Sequence, residues 1–433
     1  MAAGATVPRL AVAVSGGIDS IALLHCTARQ AAGQGLEVHA LHVHHGLHPQ
    51  ADAWMAQVAA QCARWRRAGR PVHFHGHRVQ QRPGSGDSIE AWARRVRYAA
   101  LAAMAREAGC PIVLLAHHRR DQAETVLLQA LRGAGPAGLS AMPREAVRDG
   151  LTWVRPWLHQ PREAIEAYAR RWRLQFVSDP ANFDDRHARS RLRQRLWPSL
   201  LAQFPDAETT LDSLARRAQE ARALIDEVAA ADAAQVTAGG VLQIGPWLAL
   251  SPARRAAVMR RVLPALMRAP LPETLLQRLL VEVPASGGGR WPAPGGEWRL
   301  YRGRLHWVPA VPAVPAAGLG VVTIDLARIG RHALAPWPGT LHVEAVGAGG
   351  LPLQALQRAE LRPRGGGEDF QRHAAGPARA LKKQFQAQGI PAWARSGPLV
   401  HARGQVVYVP GLGLDARALA WPGQPRVTLH WEP

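Results

Sequence analysis

Residues 11–20 read Ala-Val-Ala-Val-Ser-Gly-Gly-Ile-Asp-Ser, an apolar run that breaks at two glycines before a helix-like stretch, Ile21 to Gln30. We predict a strand, a tight loop and a helix start. Glycines let the backbone turn sharply, and a helix start offers unpaired N–H donors at the positive end of its dipole. The stretch is therefore expected to bind an anion. An ordinary turn capped by Asp19 or Ser20 is the alternative.

The side chains of this loop also suit phosphate. Ser15 and Ser20 add hydroxyl donors, and Asp19 can hold a cation that bridges phosphate oxygens. The loop has no lysine, so it is not a Walker A loop. Its spelling, S-G-G-x-D-S, resembles the pyrophosphate loop of the ATP pyrophosphatase family, whose members cleave ATP between the α and β phosphates. The resemblance implies that ATP, with Mg²⁺, binds Ser15, Gly16, Gly17, Ile18, Asp19 and Ser20.

Length and charge narrow the class of protein. A chain of 433 residues with 47% hydrophobic residues should hold two or three globular domains. Its formal charge of +21 predicts a polyanionic partner such as RNA. Nearly all of the basic residues are arginine, because lysine occurs only at Lys382 and Lys383. A bias towards arginine over the whole chain therefore contributes to this charge.

Cysteine usage and hydropathy indicate a cytoplasmic protein. The three cysteines are scattered and form no C-x-x-C pair, which argues against a zinc knuckle, a disulfide framework or an iron–sulfur cluster. No run of about 18 apolar residues appears, and the N-terminus lacks a signal-peptide pattern. We expect neither export nor a membrane span.

The first third of the chain alternates between strand and helix patterns. Glu37 to His44 and Val72 to His77 read as strands, and Asp52 to Trp65 between them reads as an amphipathic helix. This order predicts an α/β domain with a doubly wound parallel sheet, whose ligand lies at the carboxyl ends of the strands. The histidines of residues 39–48 either line a nucleotide pocket or bind a metal, and the strand alternation favours the pocket.

A fourth strand and the helix after it bring acidic residues to the same edge of the sheet. After a predicted helix from Ser88 to Arg106, Pro111 to Ala116 reads as a buried strand, and His117 opens a helix that carries Asp121 and Glu124. Acids at a helix start are commonly caps. Because this start follows a strand of the same sheet, we favour a functional role.

A very basic helix is predicted from Arg186 to Arg195. Its arginines at alternate positions cannot all face one way, so some are solvated. A basic helix beside an active site suits a phosphate backbone, and we expect Arg189, Arg191 and Arg193 to contact RNA.

The first 200 residues resemble the tRNA(Ile)-lysidine synthetase family. The resemblance combines many short matches in the expected order, which are residues 15–20, 42–47, Asp52, Trp54, Glu90, residues 93–94, 97–98, 117–118, 121–125, 132–135, 155–158 and 179–193. Two residues depart from the family pattern. Arg120 stands where H-H-x-D-D-Q has its first aspartate, which puts a positive charge beside the expected metal and nucleotide, and Ser190 replaces an asparagine.

The rest of the chain is expected to form further tRNA-binding domains. We predict the catalytic domain at 1–205, a small mostly helical middle domain at 206–310, a Pro/Ala-rich linker at 311–340 and an α+β C-terminal domain at 341–433. Residues 361–370, 380–395 and 406–413 resemble the C-terminal domain of the same synthetases, which grips tRNA. That resemblance and the isolated lysine pair predict that Lys382 and Lys383 contact tRNA.

The resemblance implies an adenine nucleotide alpha hydrolase-like fold and a ligase that joins L-lysine to C2 of the wobble cytidine (C34) of tRNA(Ile) with a CAU anticodon. In this interpretation Asp19, Asp121 and His117 are catalytic, and Asp19 and Asp121 hold the metal. Glu124 would bind the lysine ammonium and Arg94 the α-carboxylate. The sequence leaves a homodimer open. Two rival functions are tRNA thiolation, which usually needs paired cysteines, and non-catalytic tRNA binding on the same scaffold.

Overall fold

The computed structural model describes residues 7–46, 48–84, 88–177, 188–310, 320–335, 337 and 339–432, apart from the side chain of Glu90. The chain divides into two compact units, Met1–Ile225 and Asp226–Pro433. Along the described ranges, no helix is both long and apolar enough to cross a bilayer.

The first unit is built on a six-stranded sheet. Its strands are β1 (Arg9–Ala13), β2 (Glu37–His44), β3 (Val72–Arg78), β4 (Ile112–Leu114), β5 (Glu145–Arg148) and β6 (Leu151–Val154). Its helices are α1 (Ile18–Ala31), α2 (Ala51–Arg67), α3 (Ile89–Glu107), α4 (Arg119–Ala130), α5 (Pro136–Leu139), α6 (Arg162–Arg171), α7 (Ala188–Arg191), α8 (Trp197–Gln203) and the start of α9 (Ala207–Val236). A π-helical turn, Leu192–Leu196, separates α7 from α8.

The order of the strands places a ligand site at the end of β1. The sheet runs β3-β2-β1-β4-β6-β5, so the chain leaves β1 in one direction to β2 and in the other to β4. All pairs are parallel except β5 with β6. A crevice opens where the strand order reverses, beyond the carboxyl ends of the strands. This confirms the predicted doubly wound sheet, with an antiparallel strand added at one edge.

Both faces of this sheet are buried, as the apolar strands predict. Alternate side chains of a strand point to opposite faces. Ala11 and Leu41 pack in one core with residues of α3, whereas Val12 and Ala40 pack in the other core with residues of α1 and α2. Ala11, Val12, Leu41 and Ala40 are fully buried, and this burial on two sides fixes the position of the β1 end.

The second unit contains the remaining helices and four smaller sheets. Its first part has the end of α9, α10 (Ile244–Leu248), α11 (Pro252–Met267) and α12 (Glu273–Ala285) beside an antiparallel sheet. The strands of that sheet are β7 (Thr237–Ala238), β8 (Val241–Gln243), β9 (Gly289–Ala293), β10 (Gly296–Tyr301) and β11 (Arg304–Pro309). The helical middle region is thus confirmed, and its sheet buries Trp247, Trp291 and Trp298 against the helices.

The C-terminal part is α+β, as predicted. A five-stranded sheet contains β12 (Val322–Ile324), β16 (Ala359–Arg362), β19 (Leu399–Ala402), β20 (Gln405–Val409) and β21 (Gly413–Leu414). A four-stranded sheet contains β13 (Gly330–Ala333), β14 (Thr340–Ala345), β15 (Leu351–Pro352) and β22 (Arg426–Glu432), and a short hairpin joins β17 (Asp369–Phe370) to β18 (Arg379–Ala380). Helix α13 (Leu381–Ala387) packs Phe385 against Phe370.

The predicted linker at 311–340 needs correction. Strands β12 and β13 lie within this range and pair with β16 and β14 of the C-terminal sheets. Residues 311–319, which hold most of the Pro/Ala repeat, lie outside the described residues. The prediction relied on the Pro/Ala composition of the repeat, and it therefore extended the linker over two short strands that follow the repeat. The boundaries at 205 and 310 stay predictions.

Candidate functional site

The conformation of the loop after β1 is stabilised by hydrogen bonds from its two serine side chains. Ser20 Oγ donates to the Gly17 carbonyl at 2.9 Å and accepts from the Ser15 N–H at 3.2 Å. The Gly17 N–H donates to Ser15 Oγ at 3.3 Å. Gly16 has φ +93°, a left-handed conformation that favours glycine. The side chains thus shape the loop before any ligand binds.

The helix start after this loop has the features of an anion site. Gly17 is the N-cap of α1, and no side chain in the described chain caps the first turn. The first N–H groups of a helix have no partner within the helix, and they carry the positive end of its dipole. This geometry favours the ligand-binding interpretation over an ordinary turn capped by Asp19 or Ser20.

A cavity of about 530 Å³ lies at this point. Its walls come from the ends of β1, β2 and β4, from α2 and from α3. Of the predicted nucleotide residues, Ser15, Gly17, Asp19 and Ser20 line it, and so does His117. Gly16 and Ile18 are not among the described residues that line it. The cavity therefore occupies the crevice that the strand order predicts.

Four of the five histidines of residues 39–48 line this cavity, as the favoured interpretation predicts, whereas His39 is not among its lining residues and lies 2.8 Å from His75. His42 is buried and its Nδ1 lies 2.8 Å from the Val14 carbonyl, which fixes the ring against the loop. His44, His45 and His48 also face the cavity, and His48 stacks on Trp54 with ring centroids 4.5 Å apart. In the described part of the chain, no group of three or more metal-ligating side chains is arranged to hold a metal by itself.

Asp19 has a free carboxylate oxygen in a buried position. Its Oδ1 is buried and has no hydrogen-bond partner among the described residues, and its Oδ2 lies 3.9 Å from His118 Nε2. Burial raises the pKa of Asp19, an effect that the nearby His118 opposes. An unpartnered buried carboxylate is costly, and a cation would remove that cost. Asp19 therefore fits one ligand of a Mg²⁺ ion, which takes few protein carboxylates together with phosphate oxygens and water.

His118 and Asp121 form the cap of α4. The His118 N–H donates to Asp121 Oδ2 at 3.1 Å, and the Asp121 N–H donates to His118 Nδ1 at 3.4 Å. His118 Nε2 lies 3.3 Å from Asp121 Oδ2, so this ring stands between the two aspartates. His118 has no role in the sequence-based interpretation, although residues 117–118 belong to the family match. Its position shortly after β4, at the edge of the sheet where the ligand is expected, could have indicated a role in the site.

Asp121 is already engaged by cations. Arg193 donates to its Oδ1 at 2.7 Å, and Arg189 lies 3.6 Å from the same oxygen. Burial alone would raise its pKa, but His118 and Arg189 outweigh that effect and hold the pKa of Asp121 at about 2. Asp121 is not among the lining residues that the structure describes. It must release Arg193 before its Oδ1 can bind a metal.

Glu124 and Arg94 do not take the positions expected of a lysine site. Glu124 is fully buried, and its two carboxylate oxygens accept from Arg189 at 2.8 Å and from Arg193 at 2.6 Å. Arg94 is exposed and lies over the Tyr98 ring at 5.3 Å. Neither is a lining residue in the described part of the cavity. The lysine-binding role of both residues stays a prediction, although the carboxylate of Glu124 is neutralised here by two arginines.

Arg97 and Tyr98 line the cavity instead. Burial lowers the pKa of Arg97, which stays cationic at neutral pH, and its charge helps to lower the pKa of His117 and of His45. Both residues belong to the family match, but neither has a role in the sequence-based interpretation. Helical periodicity places both residues off the apolar face of the predicted helix, and it does not show that they border a cavity.

The basic segment comprises α7 and the π-helical turn that follows it, and it contacts α4 through ion pairs. Arg189 and Arg193 each remain about 30% exposed while they contact Glu124 and Asp121. Arg191 is exposed, and Ser190 is buried. Residues 178–187, which include most of the matched stretch before this segment, lie outside the described residues. The arginines therefore position the start of α4 as well as presenting positive charge.

Arg120 does not face the nucleotide cavity, contrary to the sequence-based expectation. Its guanidinium donates to Glu208 Oε2 at 3.1 Å and to Glu163 Oε1 at 2.8 Å, and Arg119 donates to the other oxygen of Glu208 at 3.1 Å. Among the described residues it does not line the cavity. Residues one apart on a helix point in different directions, so position 120 faces α6 and α9 while Asp121 faces the basic segment.

Comparison with known proteins identifies the family. A model of the PP-loop domain matches residues 2–200, a TilS substrate binding domain matches 242–306 and a TilS substrate C-terminal domain matches 359–431. The tRNA(Ile)-lysidine synthase of Ralstonia nicotianae is 43% identical over 428 residues, which cover 96% of this chain and 91% of that protein. The enzyme of the same name from Alkalilimnicola ehrlichii is 37% identical, over 95% of this chain and 91% of its own. The chain belongs to the tRNA(Ile)-lysidine synthase family.

Proposed function

We propose that this chain is an ATP-dependent tRNA(Ile)-lysidine synthase. In the reaction, O2 of the wobble cytidine C34 attacks the α-phosphate of ATP and pyrophosphate leaves. The ε-amine of L-lysine then attacks C2 and displaces AMP. The observation that carries the proposal is the cavity at the end of β1, where an anion-binding helix start and the unpartnered Asp19 face the same space.

The residues of this cavity have distinct tasks. The loop N–H groups and the hydroxyls of Ser15 and Ser20 bind phosphate oxygens and stabilise the charge that develops as pyrophosphate leaves. Asp19 would hold Mg²⁺, and Asp121 would be a second ligand if Arg193 released its carboxylate. A bound Mg²⁺ polarises the phosphoryl oxygens and neutralises their charge. Arg97 remains as a cation for a phosphate or for the α-carboxylate of lysine, in place of Arg94.

His117 is proposed as a neutral hydrogen-bonding group of the nucleotide site. Burial lowers its pKa to about 3, opposed by the charge of Asp121, so the ring is uncharged at neutral pH. Its Nδ1 is buried without a partner among the described residues. A bound phosphate would raise this pKa, because a nearby negative charge favours the imidazolium form. His117 can then exchange a proton in the ligand-bound state.

Nucleoside mass spectrometry tests the function directly. The protein is incubated with ATP, isotopically labelled lysine and an unmodified tRNA(Ile) transcript with a CAU anticodon. We expect one labelled lysidine per tRNA and equal amounts of AMP and pyrophosphate. A transcript with U34 serves as the control and should gain no label. AMP release without labelled nucleoside would contradict the proposal, and so would tRNA binding without AMP release, which is the outcome for a non-catalytic protein.

The first prediction concerns salt. Because the charge is +21 and partly exposed arginines flank the site, tRNA binding should depend mainly on phosphate contacts. The logarithm of the dissociation constant should rise with the logarithm of the salt concentration, with a slope of about 0.7–0.9 for each phosphate neutralised. Fluorescence anisotropy with labelled tRNA at several NaCl concentrations measures this slope. An affinity that does not change with salt would contradict phosphate-dominated binding.

The second prediction concerns Lys382 and Lys383. Both are exposed on α13, whose other face buries Leu381, Gln384 and Phe385, so their ammonium groups can reach a phosphate. Changing both lysines to alanine should weaken tRNA binding and lower the salt slope by up to about two units. Changing the exposed pair Arg66 and Arg67 to alanine removes the same charge elsewhere. Equal effects of the two double changes would refute a specific lysine contact.

A further inference from the structure

A second cavity lies in the first unit and shares no lining residue with the nucleotide cavity. It has a volume of about 320 Å³ and lies between α1, α2 and the residues that follow α6. None of the roles proposed above involves its residues. The cavity is lined by His25, Gln61, Arg64, Trp65, Ala68, Arg70, Trp172, Arg173, Leu174 and Gln175.

The charge of this cavity is one-sided. Three arginines line it, and no aspartate or glutamate stands among its described lining residues. Arg64 donates to Gln175 Oε1 at 3.1 Å, which leaves its net charge unbalanced. Arg70 lies over the Trp65 ring at 5.9 Å, and its Nη1 is buried with no hydrogen-bond partner in the described chain. Positive charge without acidic partners favours an anionic ligand.

A buried amide also faces this space. Gln61 is only 3% exposed, and its Oε1 has no hydrogen-bond partner among the described residues. Buried polar atoms are almost always hydrogen-bonded, and an unpaired acceptor costs free energy. Gln61 Oε1 is therefore available to accept from an N–H group of a ligand.

The third component is a group of aromatic rings. The His25 ring lies 5.2 Å from Trp65 and 5.3 Å from Trp172. Its Nδ1 lies 2.8 Å from the Tyr168 hydroxyl, which fixes the ring in place. Burial, together with Arg70 and Arg29, lowers the pKa of His25 to about 4, so this ring is neutral at pH 7. The two indoles and the imidazole form an uncharged aromatic wall beside the arginines.

We propose that this second cavity binds a nucleotide. The base would lie against Trp65 and Trp172 and donate an N–H to Gln61 Oε1, while Arg64 and Arg173 bind the phosphate. Stacking on aromatic rings, a hydrogen bond to a base edge and a cation for the phosphate are the means by which proteins recognise unpaired nucleotides. A phosphate ion alone would leave the aromatic wall and Gln61 unused.

The nucleotide has two possible sources, which are a free mononucleotide and an unpaired nucleotide of RNA. Two variants of the full-length chain test both. Arg64→Glu reverses the charge at the phosphate position, and Gln61→Leu removes the acceptor with little change of volume. Arg67→Glu, on the exposed surface of the same helix and outside the cavity, is the matched control for charge. The midpoint of thermal unfolding of Gln61→Leu should equal that of the wild type, because the change removes a buried oxygen that has no hydrogen-bond partner among the described residues.

Isothermal calorimetry with AMP and anisotropy with tRNA are the two measurements. For a free nucleotide, wild type and Arg67→Glu bind one more AMP per chain than Arg64→Glu and Gln61→Leu do, whether or not the first cavity also binds AMP. For a nucleotide of RNA, Arg64→Glu and Gln61→Leu weaken tRNA binding by about tenfold relative to Arg67→Glu. If all three variants match in both measurements, the proposal is wrong. Neither measurement depends on lysidine formation, so this result is independent of the proposed function.

Discussion

Replacing Asp19 by asparagine should lower the rate of ATP conversion to AMP and pyrophosphate by at least about 100-fold. The change keeps the size of the side chain but removes the carboxylate that would hold Mg²⁺. Asp19 is the lining residue whose buried Oδ1 has no partner among the described atoms, so the change breaks no short hydrogen bond of that oxygen. Pyrophosphate release in the presence of tRNA and lysine measures the rate.

Stability should respond differently from activity. Because the fold raises the pKa of Asp19, the charged form costs stability at pH 7, and this cost is absent below the usual pKa of 3.8. Asparagine removes that cost, so the thermal midpoint at pH 7 should be unchanged or raised. Asp149→Asn is the matched control, because Asp149 has φ +54°, which asparagine tolerates, in an exposed turn. If Asp19→Asn converts ATP at the wild-type rate, Asp19 is not a ligand of the metal.

The contrast between Asp19 and Glu124 shows how far a sequence can predict a site. Residues 11–20 predict the strand, the turn, the helix and the cavity beyond them, because each step follows from local chemistry. Glu124 follows the same logic along the chain, yet its carboxylate is taken by Arg189 and Arg193, about 65 residues away. A sequence shows that a charge is present, but the residue that neutralises it is decided by tertiary packing.

The fold was more predictable than the site for the same reason. The parallel sheet follows from alternating strand and helix patterns, which are local. The strands β12 and β13 were missed because each has four residues or fewer and is stabilised by pairing with β16 and β14, which lie later in the chain. Arg97 was missed as a cavity residue because it lies off the apolar face of the predicted helix, where a charge that borders a ligand looks the same as a solvated one.

Replacing Arg120 by aspartate, the family residue, should destabilise this chain without changing its magnesium requirement. Arg120 and Arg119 together neutralise Glu208, whose side chain is 8% exposed, and Arg120 also contacts Glu163. The substitution would bring a third carboxylate to Glu163 and Glu208 and leave Arg119 as the remaining cation of this group. We expect the free energy of unfolding of the first unit to fall by about 2–4 kcal/mol, because a buried charge loses a partner and gains a like-charged neighbour.

Urea unfolding, followed by tryptophan fluorescence, measures the loss, and Arg217→Asp, at an exposed position of α9, controls for the change in net charge. Steady-state assays under conditions where the variant stays folded should give the same magnesium concentration for half-maximal rate as the wild type. A lower magnesium requirement with unchanged stability would mean that position 120 acts on the metal after all. Lower stability with an unchanged magnesium requirement, which is the result we expect, would mean that Arg120 holds the start of α9 against α4. In that case this chain has replaced the family aspartate by an arginine that neutralises Glu163 of α6 and Glu208 of α9.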